Sequence, residues 1–350
     1  MVSSIAFAVP GDLATPTGGY AYDRRMIAEL ERLGWHIDVV DLGEGFPWPS
    51  EERRAAAQAR LFAVPEGRTI VIDGLALGVL PEAASQLRSR HPLIALVHHP
   101  LALESGLSAE QADGLRASER AALAAASRVV ATSAATARNL VADYAVPADR
   151  IIVACPGSDP APVAQGSRDG IVRLLSVGAL VPRKGFDVLT AALATLSGLP
   201  WRLTIAGDRG RDVKAAAQLD ADIARFKLGD RVAALGAVPP ERLAELYAGA
   251  DLFVLASRFE GYGMAYAEAI AYGLPVIGTT AGAIPDTVPA GAGILVAPDD
   301  AAALARALRR VIENSDERRR LAASARTAAR QLPAWQDSAK EFARALEAVA

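Results

Sequence analysis

Glu260 and Glu268 are the only carboxylates in a stretch that is otherwise nearly free of charge. It reads SRFEGYGMAYAEAIAYGLPVIGT from Ser257 to Thr279, and no further charge follows until Asp286. The pattern predicts a strand over 252–255, a glycine turn, a helix over about 263–272, and a second strand at 276–278. An acid just ahead of a helix is favoured by the helix dipole, which accounts for Glu260 alone. Glu268 lies deeper, among Met, Ala, Ile and Tyr, where a carboxylate needs a polar partner. Gly263 permits a tight turn, so the unpaired amides of Met264 and Ala265 are free to meet an anion.

A second group is basic. Lys184 is one of only four lysines, with Lys214, Lys227 and Lys340, and it follows Arg183 in LLSVGALVPRKG after a strand at 172–177. Cations at a helix start oppose the dipole, so the pair calls for an anion such as a diphosphate. Lysine would meet it as a point charge and arginine as a fork. Gly178 belongs to the same turn. Gly207, in LTIAGD, and Ala237 and Val238, in ALGAVP, end further strands. Their backbones are placed to approach a ligand, although ordinary βα turns read equally well there.

His98 and His99 close the apolar run 93–97, at the strand end where α/β domains bind ligands. A histidine pair suggests metal, but no Cys or further His cluster supports a zinc site. Gly18 and Gly19 precede a helix with Tyr22, Met26, Leu30 and Leu33 at helical spacing. No G-x-G-x-x-G occurs there. Asp220 and Asp222 imitate a metal-binding D-x-D, but two residues apart on a helix they diverge and read as surface charge. A glycosidase acid pair at Glu260 and Glu268 would have no use for the basic turn.

These groups need a scaffold. Strands alternate with helices along nearly the whole chain, which implies parallel sheets covered on both faces. The stretch PGSDPAPVAQGSRDG, 156–170, reads as a linker between two such series. The chain has 350 residues, 51% of them hydrophobic, enough for two cores. A net charge of −3 gives no reason to expect nucleic-acid binding. Cys155 is alone, which fits a reducing compartment. The first residues read as a strand rather than a signal peptide, and no apolar run is long enough to span a bilayer. A cytoplasmic location is expected.

The setting of Glu260-x7-Glu268, with its flanking strand, glycines and Gly-Leu-Pro-Val, resembles the E-x7-E signature of retaining glycosyltransferase family 4. The resemblance implies an α/β GT-B fold: two Rossmann-like domains whose parallel sheets face a central cleft. The domains would be 1–160, an acceptor domain, and 171–332, a nucleotide-sugar donor domain, with helix 335–350 returning to the first. It implies transfer of a sugar from a nucleoside diphosphate sugar to an acceptor hydroxyl, with retention and without bound metal or other cofactor. Catalytic roles would fall to His98, Glu260, Lys184 and Arg183. Donor binding would fall to Gly18, Gly19, Gly178, Gly207, Ala237, Val238, Gly263, Met264, Ala265 and Glu268. Glu260 would contact sugar hydroxyls and Glu268 the ribose. The family usually has Arg after the glycine of the basic turn, where this chain has Ala179, and Arg183 is the available substitute. A nucleotide-sugar epimerase, or a binding protein without turnover, would share the architecture. Residues 1–160 contain no lysine and more acids than arginines, so a soluble acceptor and no stable membrane binding are expected. Lys184→Ala is expected to leave the fold intact.

Overall fold

The computed structural model describes residues 4–349. The chain divides into two compact units, one holding the residues up to 157 and those from 333 onward, the other residues 158–332.

Unit 1 follows strand–helix alternation: β1 (Ser4–Val9), α1 (Gly18–Arg32), β2 (His36–Asp41), α2 (Glu51–Phe62), β3 (Thr69–Asp73), α3 (Gly74–Leu77), α4 (Pro81–Leu87), β4 (Leu93–Val97), α5 (Ala109–Ala125), β5 (Arg128–Ala131), α6 (Ala134–Tyr144) and β6 (Ile151–Val153). All six strands are parallel, in the order β2-β1-β3-β4-β5-β6. Strands β3 and β4 are buried throughout, because helices cover both faces of the sheet. The glycines 18 and 19 do not precede α1 but form its first turn. Thr17 is the cap, accepting from the Tyr20 amide at 3.2 Å, and so moves the helix start upstream of the poor helix formers.

Unit 2 repeats the scheme: β7 (Val172–Val177), α7 (Phe186–Ala194), β8 (Trp201–Ala206), α8 (Val213–Arg225), β9 (Val232–Ala234), α9 (Pro240–Gly249), β10 (Leu252–Val254), α10 (Met264–Ala271), β11 (Val276–Thr279), α11 (Ile284–Thr287), β12 (Gly293–Val296), α12 (Ala301–Glu313) and α13 (Ser315–Ala329). Its sheet is also six-stranded and parallel, ordered β12-β11-β10-β7-β8-β9.

The last helix, α14 (Trp335–Glu347), belongs to unit 1, where Phe342 stacks on Phe7 and Trp335 packs on Tyr22. Gly157 makes the return possible: a Cβ there would lie 2.3 Å from the Trp335 amide nitrogen. The stretch 158–170 is not a free linker. Ala164 and Gln165 donate their amides to Tyr272 and Ala248, and Ser167 donates to Asp251, so the polar text runs along unit 2 as a tied strap. Asp222 is also not surface charge. It is 2% exposed and paired with Arg225 at 2.8 Å, while Asp220 lies on the surface against Arg209.

Candidate active site

In unit 2 the basic turn is built on backbone contact that only glycine allows. Gly178 donates its amide to Ala206 at the end of β8, and a Cβ on Gly207 would fall 1.8 Å from the Gly178 carbonyl oxygen. Gly185 has φ of +66°, and its Cβ would stand 2.0 Å from the Ala256 carbonyl oxygen. Between these glycines the turn Pro182–Lys184 is pressed against the end of β10. The Lys184 stem lies over Gly178, and Arg258 holds Pro182 by its carbonyl and Asp187 by both carboxylate oxygens.

This geometry delivers three side chains to Glu260. Lys184 Nζ is 2.6 Å from Oε1, Arg183 Nη1 is 3.3 Å from Oε2, and Ser257 Oγ donates to Oε1 at 2.6 Å. Arg183 also donates to the Phe259 carbonyl at 2.9 Å. Burial would raise the Glu260 pKa, but Lys184 and Arg183 outweigh it and hold the carboxyl below its ordinary value. Glu260 is therefore an ionised carboxylate at the hub of a buried cationic pair.

Three residues on, Gly263 takes φ of +92° and starts α10 without a side-chain cap. The amides of Met264 and Ala265 open the helix, and no acceptor from the described residues satisfies them. Glu268, one turn further on, accepts from Tyr247 at 2.9 Å, and Tyr247 stacks on Tyr272 with ring centroids 5.1 Å apart. Burial raises the Glu268 pKa, helped by Asp159 and opposed by Tyr247 and Lys184. Ala237 and Val238 lie in the loop after β9, beyond Gly236, whose carbonyl accepts the Gly207 amide. The structure thus gathers Arg183, Lys184, Glu260, Gly178 and Gly207 around one turn, and Gly263, Met264, Ala265 and Glu268 around one helix start.

In unit 1, His98 follows β4 directly. Its Nε2 is 3.1 Å from Asp23 Oδ1 and 3.5 Å from Asp73 Oδ2. Gly19 lies against the ring, since a Cβ there would be 3.3 Å from Cδ2, and Gly18 sits beside it at the start of α1. Burial works against the charge on His98, but Asp23 and Asp73 prevail and raise its pKa to about 10. Burial raises Asp23 to about 7, with His98 and Asp73 pulling in opposite directions. Asp73 resists burial and stays low through His98 and the Leu75 amide. His99 turns elsewhere, 3.5 Å from Glu104. Asp23, Asp73 and His98 are the one set of three potential metal donors among the described residues, with ligand atoms within 4.8 Å of one another. Those donors already meet at hydrogen-bond distance, an arrangement that a proton completes.

Asp23, Asp73, Ser257 and Tyr247 were not evident as site residues in the sequence. Two had a signal. Asp23 shares the buried helical face of Met26 and Leu30, and Asp73 ends an otherwise apolar strand beside the one that leads into His98.

Known proteins fall into place on this geometry. The family model for group 1 glycosyl transferases matches residues 160–328, and that for glycosyltransferase family 4 matches residues 70–162. The two glycosyltransferase models adjoin and together match residues 70–328. Among relatives of this chain, D-inositol 3-phosphate glycosyltransferase of Nocardia farcinica is 32% identical over 254 residues, covering 67% of this chain and 56% of that protein. MMP alpha-(1->4)-mannosyltransferase of Mycolicibacterium hassiacum is 28% identical over 321 residues, covering 85% and 74% respectively. The chain spans about half the length of most of the curated relatives it matches. Among solved structures, sucrose-phosphate synthase from Thermosynechococcus elongatus superposes with a TM-score of 0.80 at 23% identity, over 99% of this chain and 100% of that one. Anabaena Alr3699/HepE, solved with UDP and glucose, gives 0.74 at 20% identity, over 98% and 99%. The chain accordingly has the GT-B fold, a six-stranded parallel sheet in each of two units.

Proposed function

We propose that the protein transfers a sugar from a nucleoside diphosphate sugar to an acceptor hydroxyl, with retention of anomeric configuration and without a bound metal. The observation that supports this most directly is the join of Lys184, Arg183 and the open amides of Met264 and Ala265 around Glu260. Cations and helix amides favour a diphosphate leaving group more as its charge grows, which lowers the barrier to its departure. In the free protein Glu260 satisfies both cations. A diphosphate arriving there would compete for them and release carboxylate oxygen for sugar hydroxyls. Glu268, oriented by Tyr247, would hold the ribose. No side chain at this turn is an activated nucleophile, which fits a same-face reaction in which the leaving phosphate takes the acceptor proton.

The acceptor is a soluble molecule on this reading. The relatives named for an inositol phosphate and for a mannosyl transfer suggest polyols and sugars as the first acceptors to try. The test is a panel of nucleotide sugars with those acceptors, followed by release of nucleoside diphosphate with EDTA present. Product anomeric signals by NMR report the stereochemistry. Nucleotide release that stops with EDTA, or an inverted product, would refute the corresponding part. A 2′- or 4′-epimeric sugar nucleotide appearing without nucleotide release would favour the epimerase instead.

The two glutamates separate within the same assay. Glu268→Ala should weaken donor and free nucleoside diphosphate alike, whereas Glu260→Ala should spare the nucleotide and depress transfer. Equal loss of nucleotide affinity in both would refute the division.

A further inference from the structure

We propose that Asp23 and Asp73 are positioning residues that clamp His98 by its Nε2 edge and turn its Nδ1–H outward as a permanent donor to a substrate oxygen. The inference rests on the transferase reading for the substrate, but not for the clamp itself. Each carboxylate comes from a different element, Asp23 from α1 and Asp73 from the end of β3, and both are almost wholly buried. They converge on one ring nitrogen, at 3.1 and 3.5 Å. A single acceptor would suffice to choose a tautomer. Two carboxylates on one nitrogen do more, because they favour the imidazolium.

The ring and its backbone have further neighbours. Gly19 lies against Cδ2, Tyr22 meets the ring edge-on at 5.3 Å and 82°, and the His98 carbonyl accepts from Thr132 Oγ1 at 3.0 Å. The Tyr22 hydroxyl is committed to Ala154, with Cys155 nearby, and Thr136 approaches the same His98 carbonyl. Nδ1 has no hydrogen bond to a described residue and is not among the buried polar atoms, so the 20% exposure of His98 includes that nitrogen. Asp23 Oδ2, by contrast, is buried and has no donor. Protonated at working pH, His98 donates a hydrogen bond and does not act as a base.

The experiment is a ring ¹H–¹⁵N titration of the intact protein from pH 5.5 to 9.5. There are four histidines, and His98→Gln assigns the signal in question. The expected result is an imidazolium for His98 through pH 9, with Asp23→Asn and Asp73→Asn each lowering its proton affinity tenfold or more. In parallel, wild-type kcat/KM should have no alkaline limb from this group below pH 9, and Asp23→Asn should introduce one nearer neutrality. A wild-type His98 that titrates near its ordinary value, or that is unmoved in either asparagine variant, would overturn the clamp. Selective broadening of the His98 signals by equimolar Mn²⁺ would also overturn it, since a cation would then occupy the proton's place. Absence of turnover with every sugar nucleotide would sink the transferase reading while leaving the ring titration decisive.

Discussion

Lys184 Nζ lies 2.6 Å from Glu260 Oε1, with both side chains mostly buried, at 14% and 7% exposure. The pair is therefore part of the fold of unit 2. Lys184→Ala, which by sequence reasoning alone leaves the fold intact, should instead cost about 1.5–3 kcal/mol, because a buried carboxylate loses its nearest cation. Arg183 and Ser257 remain and limit the damage. The double variant Lys184→Ala/Glu260→Ala should recover part of that loss. Urea unfolding of the set checks this, and a double variant less stable than the sum of the singles would contradict it.

Acid should act on the same carboxylate. Glu260 has a folded pKa held below its unfolded value, so the stability it contributes is present above about pH 4.5 and is lost as pH falls through the folded value. Glu260→Gln should remove that acid-sensitive component. The comparison is thermal unfolding of both proteins at pH 6 and at pH 3.5–4.5, where parallel curves would count against the assignment.

Glu119 should show the opposite sign. Its Oε2 accepts the Leu101 amide at 2.9 Å just beyond the His98–His99 turn. Burial raises its pKa to about 8, partly offset by that amide and by Tyr144. Between about pH 4.5 and 8 the unfolded chain is ionised there and the folded one is not, so stability falls as pH rises. Glu119→Gln keeps an acceptor for Leu101 and abolishes the titration. Its melting temperature should gain on wild type steadily from pH 4.5 to 8.5 by calorimetry. A gap that does not change with pH would exclude the effect.

Gly207→Ala should damage the basic turn from outside it. Its Cβ would stand 1.8 Å from the Gly178 carbonyl oxygen, so one of two turns must move. Overpacking of this kind costs about 1–3 kcal/mol, or roughly 2–4 °C per kcal/mol for a unit of this size. Nucleotide affinity, read by calorimetric titration, should fall with the melting temperature. Wild-type values for both would show that the turns yield freely.

Vesicles rich in anionic lipid should not pellet the folded protein at low salt. No helix among the described residues is long and apolar enough to cross a membrane, and residues 1–160 have no lysine. Each basic residue near such a surface contributes about 1 kcal/mol, so a lysine-free, net acidic segment gains little. Substantial pelleting would move a lipid acceptor to the front.

Much of the scaffold was legible because burial on both faces of a parallel sheet writes continuous apolar runs, as in residues 93–97 and 172–177. The turn glycines and the basic pair were legible because their residue types are costly or scarce at those places. Partnerships were not. Lys184 and Glu260 are far apart in sequence, and nothing local to either says that they neutralise each other. Asp222 escaped for a different reason: two residues on a helix do diverge, and here the divergence carried one of them inward to Arg225. The strap at 158–170 has loop composition because its backbone bonds go to neighbouring segments of unit 2 rather than into a ladder.

The placement of α14 sets the order in which the molecule can be finished. Residues 158–332 leave the ribosome as a complete unit, while the earlier residues wait for 335–347 before Phe7 and Tyr22 are covered. Tyr22 in turn borders His98. Unit 2 is thus synthesised in full before His98 has its full surroundings.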